Sequence, residues 1–93
     1  MSTDVVHNVA ANRFEAVVDG VLCVLEYDLH EGVMTITHTG VPDAVGGRGI
    51  AGALASAAFE TARREHWRVV PACTYVEAWI KRHPEYANLV NPA

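Results

Sequence analysis

The chain is poor in cysteine: it has only Cys23 and Cys73, fifty residues apart. They form no C-x-x-C pair, so neither a disulfide framework nor a structural zinc site is expected. Histidines at 7, 30, 38, 66 and 83 show no ligand spacing, and no metal is expected. No apolar run nears the ~18 residues of a membrane span, so no membrane partner is expected. The opening Met-Ser-Thr-Asp-Val-Val-His lacks a basic segment followed by an apolar core, so no secretory signal is expected. These absences predict a cytoplasmic setting with both thiols reduced. Bases are scarce in the first half: residues 1–47 hold seven acids against Arg13 alone, whereas residues 48–93 hold six bases and four acids. A net charge of −4 and a pI near 5.6 argue against nucleic acid as a partner. An anionic ligand would belong to the second half.

The 93 residues are 51% hydrophobic, with a mean hydropathy of +0.12. That is too apolar for a disordered chain and enough for one thin core, so residues 1–93 are expected to form a single domain. Residues 1–12 are polar and without period, and read as a loose start. Phe14–Val18, Val21–Leu29 and Val33–Thr39 read as three strands. Asp19-Gly20 and His30-Glu31-Gly32 are tight turns between them, which predicts an antiparallel meander. Met34, Ile36 and His38 alternate and are expected on one side of the third strand.

After Gly40-Val41-Pro42-Asp43 the texture changes. Ile50, Leu54, Ala58 and Ala62 recur at helical spacing, and the helix is expected to run to about Trp67. Arg68–Pro71 is short and β-branched, a fourth strand, parallel to the third because a helix crosses between them. Tyr75–Arg82 reads as a short helix with Val76, Trp79 and Ile80 inward, closed by Pro84. The order β-β-β-α-β-α predicts an α+β fold with a mostly antiparallel four-stranded sheet and one parallel pair.

The segment richest in chemistry is Val45-Gly46-Gly47-Arg48-Gly49-Ile50-Ala51-Gly52. It contains G-x-G-x-x-G but follows antiparallel hairpins, so it is not a dinucleotide fingerprint, and no Gly-Lys-Ser/Thr makes it a P-loop. A helix starting near Gly49 would expose unpaired N–H groups with no Ser, Thr, Asp or Asn before them to cap it. Either glycine itself closes a plain turn, or the backbone and Arg48 receive a phosphate or pyrophosphate.

Taken with His38-Thr39-x-Val41-Pro42-Asp43-Ala44, Pro71-x-Cys73-x-Tyr75-Val76 and Ile80-Lys81-Arg82-His83-Pro84-Glu85-Tyr86, the loop resembles the GNAT acetyltransferase superfamily. The resemblance is closest to its small, single-domain YjdJ-type branch and runs from about Phe14 to Val90. It implies an abbreviated GNAT fold that binds acetyl-CoA as cosubstrate. Pyrophosphate would be held by Val45, Gly46, Gly47, Arg48, Gly49, Ile50 and Ala51. The pantetheine arm would lie between strand ends at Thr39, Gly40, Val41 and Cys73.

The implied reaction is acetyl transfer to an unidentified amine, by direct attack in a ternary complex or, as a variant, through a Cys73 acyl-enzyme. Cys73 is otherwise an inert thiol, and His38 is either a general base or a packed histidine. Cys73 would stand at a helix entry that lowers its pKa. The alternatives are a CoA-binding module without catalysis and a purely structural interaction protein. Two departures from the family pattern stand out: Gly46 where a base is usual and Gly40 where Glu is usual. Little chain remains for an acceptor pocket, which a second copy or a partner protein would complete.

Overall fold

The computed structural model describes residues 3–91. Strands β1 (Val6–Asn8), β2 (Arg13–Val18), β3 (Val21–His30) and β4 (Val33–Gly40) pair antiparallel in sequence order. Helix α1 (Ile50–Glu65) crosses over to β5 (Arg68–Pro71), which lies parallel to β4. Helix α2 (Thr74–Lys81) and a 3₁₀ segment, Pro84–Leu89, complete the fold.

Both hairpins turn where glycine demanded it. Asp19 (φ +51°) and Gly20 (φ +76°) are both left-handed, as are Glu31 and Gly32, and this twist matches that of the strands. Phe14, Ala16, Cys23, Leu25, Tyr27, Met34 and Ile36 bury one sheet face. Ile50, Leu54, Ala58, Phe59 and Ala62 of α1 meet them at the expected helical spacing. The small residues on that stripe let α1 lie close to β2 and β3, while α2 packs on β4 and β5. The outer face is more open: Val17 and Leu22, directly paired across β2 and β3, are both exposed.

The sheet has five strands, one more than the pattern predicts. His7 stacks on Phe14 with ring centroids 4.1 Å apart and shares a 2.7 Å hydrogen bond with Tyr27 Oη. Asn8 accepts from the Ala11 N–H and donates to Glu15. Three residues held by side-chain anchors carry no readable period. The first two residues of the expected loose start lie outside the described residues.

Helix α1 ends at Glu65 rather than near Trp67. His66 turns left-handed (φ 61°) and Trp67 N–H closes onto Ala62 O at 2.8 Å. The last 3₁₀ segment brings Tyr86 and Leu89 into the core, where Tyr86 lies 5.4 Å from Phe59 and 5.7 Å from Trp79, centroid to centroid.

Candidate functional site

The loop between β4 and α1 is anchored from inside. Val45 is buried at 1% exposure, and a 3₁₀ turn over Asp43–Val45 ties Val45 N–H to Pro42 O and Gly46 N–H to Asp43 O. Gly47 (φ +77°) and Gly49 (φ +74°) then take left-handed angles. A Cβ at either would meet nothing within 4 Å, so these glycines serve the backbone angle and the space before them is open. Gly49 begins α1 with no side-chain cap and no acid in the first turn. Backbone bonding resumes with Ala53 N–H to Gly49 O. Among the described residues the N–H groups of 47 to 52 make no hydrogen bond, leaving a row of donors at the positive end of the helix dipole.

Arg48 does not stand free beside that row. Its Nη1 lies 2.6 Å from Oδ2 of Asp19, on the β2–β3 turn, with both side chains half exposed or more. The sequence assigns Arg48 to an anion; the fold gives it a carboxylate already.

The second half of the site is where β4 and β5 part. Their pairing runs from Val33–Arg68 to Ile36–Pro71 and ends there. Cys73 N–H donates to Ile36 O at 3.0 Å, and the chain then turns into α2. Strand β4 continues alone on that side through Thr37, His38, Thr39 and Gly40 to the glycine loop. At this point β4 also bulges. Glu26 opposes His38 while Tyr27 opposes Ile36, so Thr37 is an extra residue with no opposite number.

One inserted residue exchanges the faces. Met34 and Ile36 stay buried, but His38 turns to the outer face with Glu26, and Thr39, opposite the buried Leu25, turns inward. Thr39 therefore faces Cys73: the thiol donates to Thr39 Oγ1 at 3.6 Å. His38 is exposed and folds over Gly40, where a Cβ would come within 2.9 Å of its Nε2. The fold thus brings Thr39 and Cys73 together and sends His38, the second catalytic candidate, through the sheet to the other side.

Cys73 occupies the N-cap position of α2 without closing a capping hydrogen bond. Burial pushes its pKa up, but the Val76 N–H, the Thr39 hydroxyl, the Tyr75 N–H and the Thr39 backbone outweigh it, and the thiol ends below its ordinary value. Next to it, burial holds the Tyr75 phenol above its usual range, with Arg82 opposing and Cys73 assisting. A Cβ at Gly52 would lie 3.5 Å from Trp79 Nε1 and 3.7 Å from Tyr75 Oη, so the first turn of α1 faces the Tyr75 and Trp79 side chains of α2. Cys23, by contrast, is sealed in the core. Among the described residues no cluster of three or more His, Cys, Asp or Glu could hold a metal ion, and no helix is long and apolar enough to cross a membrane.

Sequence reading missed two partners. Asp19 carried only a turn signal, and Thr39 only a place beside the pantetheine arm, with no sign of its contact with the Cys73 thiol. A side chain's opposite number across a bulge or between two loops leaves no local pattern.

Comparison with known proteins identifies the family. The chain is 34% identical over 76 residues to Protein NATD1 of Bos taurus, covering 80% of this chain and 66% of that protein. It is 33% identical over 76 residues to Protein NATD1 of Homo sapiens, with the same coverage. The matched stretch thus spans just under two thirds of these relatives' length. The solution structure of a GCN5-like protein from Staphylococcus aureus superposes with a TM-score of 0.76 at 24% identity, over 100% of this chain and 93% of that one, which establishes the likeness of fold. Residues 13–89 match the family described as GCN5-related N-acetyl-transferase, a span that holds the parting strands, the glycine loop and Cys73 alike, and the chain belongs to that family.

Proposed function

We propose that the chain moves an acetyl group from acetyl-CoA to an amine. The observation that carries this reading is a juxtaposition. Strands β4 and β5 part at Ile36–Pro71, the uncapped N-terminus of α1 opens beside the parting, and Cys73 stands at its base. Family membership supports it.

In this reading the unbonded backbone N–H groups of Gly47 to Ala51 receive the pyrophosphate, beside Gly46, with Val45 and Ile50 fixing the loop from the core. The free edge of β4 at Thr39, Gly40 and Val41 offers peptide groups to the amides of the pantetheine arm. That directs the thioester toward Cys73. The Cys73 thiolate attacks the thioester carbonyl; the new S–C bond forms as the carbon–sulfur bond to CoA breaks, and the CoA thiolate leaves and takes a proton. An amine then displaces Cys73 from the acyl group. Direct attack by the amine on bound acetyl-CoA gives the same products without the covalent stage.

On either route the amine must shed a proton. His38, over Gly40 on the outer face, is the base available to an acceptor arriving from that side. A second copy or a partner protein would complete the acceptor pocket. A cytosolic setting, which keeps both thiols reduced, suits the chemistry.

One observation favours a second reading, a CoA-binding module without catalysis. Arg48 is already paired with Asp19, and Gly46 brings no charge, so the loop's net attraction for an anion is modest. Incubation with acetyl-CoA labelled in the acetyl group, followed by intact mass and an amine screen, separates the two. The enzyme reading expects label on an amine, and on the acyl-enzyme route a gain of one acetyl group that Cys73→Ala abolishes. Saturable CoA binding with no label on protein or amine would leave only the binding module.

A further inference from the structure

Arg48–Asp19 differs in kind from the other ion pairs among the described residues. Arg13–Glu15, His30–Glu31 and Arg63–Glu60 each join near neighbours in sequence, whereas Arg48 and Asp19 are twenty-nine positions apart and join two separate loops. The pair forms part of the wall of an open recess of about 380 Å³ whose lining also includes Asp4, Val18 and Ile50. Asp4 is a second carboxylate there, so around the one cation of the glycine loop the local balance is negative. Ile50 belongs both to this recess and to the first turn of α1, so the ion pair and the uncapped N–H row share a residue.

On the reading that this loop receives the pyrophosphate of CoA, we propose that Asp19 is a latch that sets the loop's affinity by competing with the ligand for Arg48. A diphosphate carries more charge than one carboxylate and offers the guanidinium a bidentate seat. The present pair is exposed to water and weak enough to exchange. Ligand entry then releases Arg48 from Asp19, and the hairpin turn and the glycine loop lose their link at the moment the site fills. Asp19 thereby lowers affinity for every polyanion and favours those able to displace it.

Asp19→Asn is a clean test because asparagine tolerates the left-handed angle that Asp19 holds in the turn. Calorimetric titration of the full chain with CoA, at low salt and at high salt, compares the wild type, Asp19→Asn, Arg48→Ala and the double variant. The latch predicts that Asp19→Asn tightens CoA binding about threefold at low salt, the scale of an exposed ion pair. The gain shrinks at high salt, where charges are screened. Arg48→Ala weakens binding, and adding Asp19→Asn to it recovers little. Unchanged or weaker binding in Asp19→Asn would overturn the latch, as would a tightening that persists undiminished without Arg48. Absence of saturable CoA binding in the wild type is a different failure, since it removes the pyrophosphate reading on which the latch rests.

Discussion

Thr39 and Cys73, thirty-four positions apart in the chain, meet hydroxyl to thiol at 3.6 Å where β4 and β5 separate. The contact exists because Thr37 bulges and turns Thr39 inward. It sets a hydroxyl beside the thiol at the uncapped start of α2, where the nearby Val76 and Tyr75 N–H groups also lower its pKa. Replacing Thr39 with valine keeps the shape and deletes the hydroxyl. The Cys73 pKa should rise, and alkylation by iodoacetamide near neutral pH should slow roughly three- to tenfold, the worth of one ordinary net hydrogen bond of about 1 kcal/mol. The pH–rate profile of alkylation in the two proteins measures both effects.

His38 lies on the opposite face from Cys73, so the imidazole should not act on the thiol. His38→Ala should leave the alkylation profile of Cys73 unchanged. Gly40→Ala should instead displace the imidazole, because the new Cβ would stand 2.9 Å from Nε2 and an exposed ring can swing aside. The His38 ring resonances should move in NMR spectra of Gly40→Ala, with thermal stability altered by no more than about 0.5 kcal/mol.

His7 gives stability a pH dependence of predictable sign. Burial and, secondarily, Arg64 lower its pKa, with Glu65 opposing, and its ring is already bonded to Tyr27. The folded chain therefore resists protonating a group that the unfolded chain protonates at the usual value of 6.5. The stabilisation is whole above that value and is lost as pH falls from it through the lowered folded value. Melting temperature should fall between neutral pH and about pH 5 by more in the wild type than in His7→Gln, a comparison that calorimetry makes directly.

Gly52 offers a stabilising change close to the site. A Cβ there would make only ordinary contacts, 3.5 Å to Trp79 Nε1 and 3.7 Å to Tyr75 Oη, and the residue is helical. Gly52→Ala should raise stability by about 0.5–1 kcal/mol through helix propensity and a less flexible unfolded chain. Chemical denaturation should read it as a higher midpoint at constant slope.

Much of this architecture was legible because it is written locally. Asp19-Gly20 and Glu31-Gly32 specify turns through backbone angles, and Ile50, Leu54, Ala58 and Ala62 specify the inner stripe of α1 through spacing alone. The uncapped glycine start of α1 was legible as well, since capping is a matter of which residues are adjacent. What escaped is decided across the fold. Met34, Ile36 and His38 alternate as though the strand were regular; only pairing with β3 reveals that Thr37 has no partner. Strand β1 is three residues held by His7 and Asn8 side chains rather than by a pattern. The pairing of Arg48 with Asp19 depends on two loops arriving at the same end of the sheet, which topology settles and composition does not.

The measurement that bears most directly on the central claim is a structure of the full chain with acetyl-CoA. The pyrophosphate should lie on the N–H groups of Gly47 to Ala51, with the thioester between Thr39 and Cys73. A bound ligand whose density avoided both the glycine loop and the gap between β4 and β5 would contradict the account.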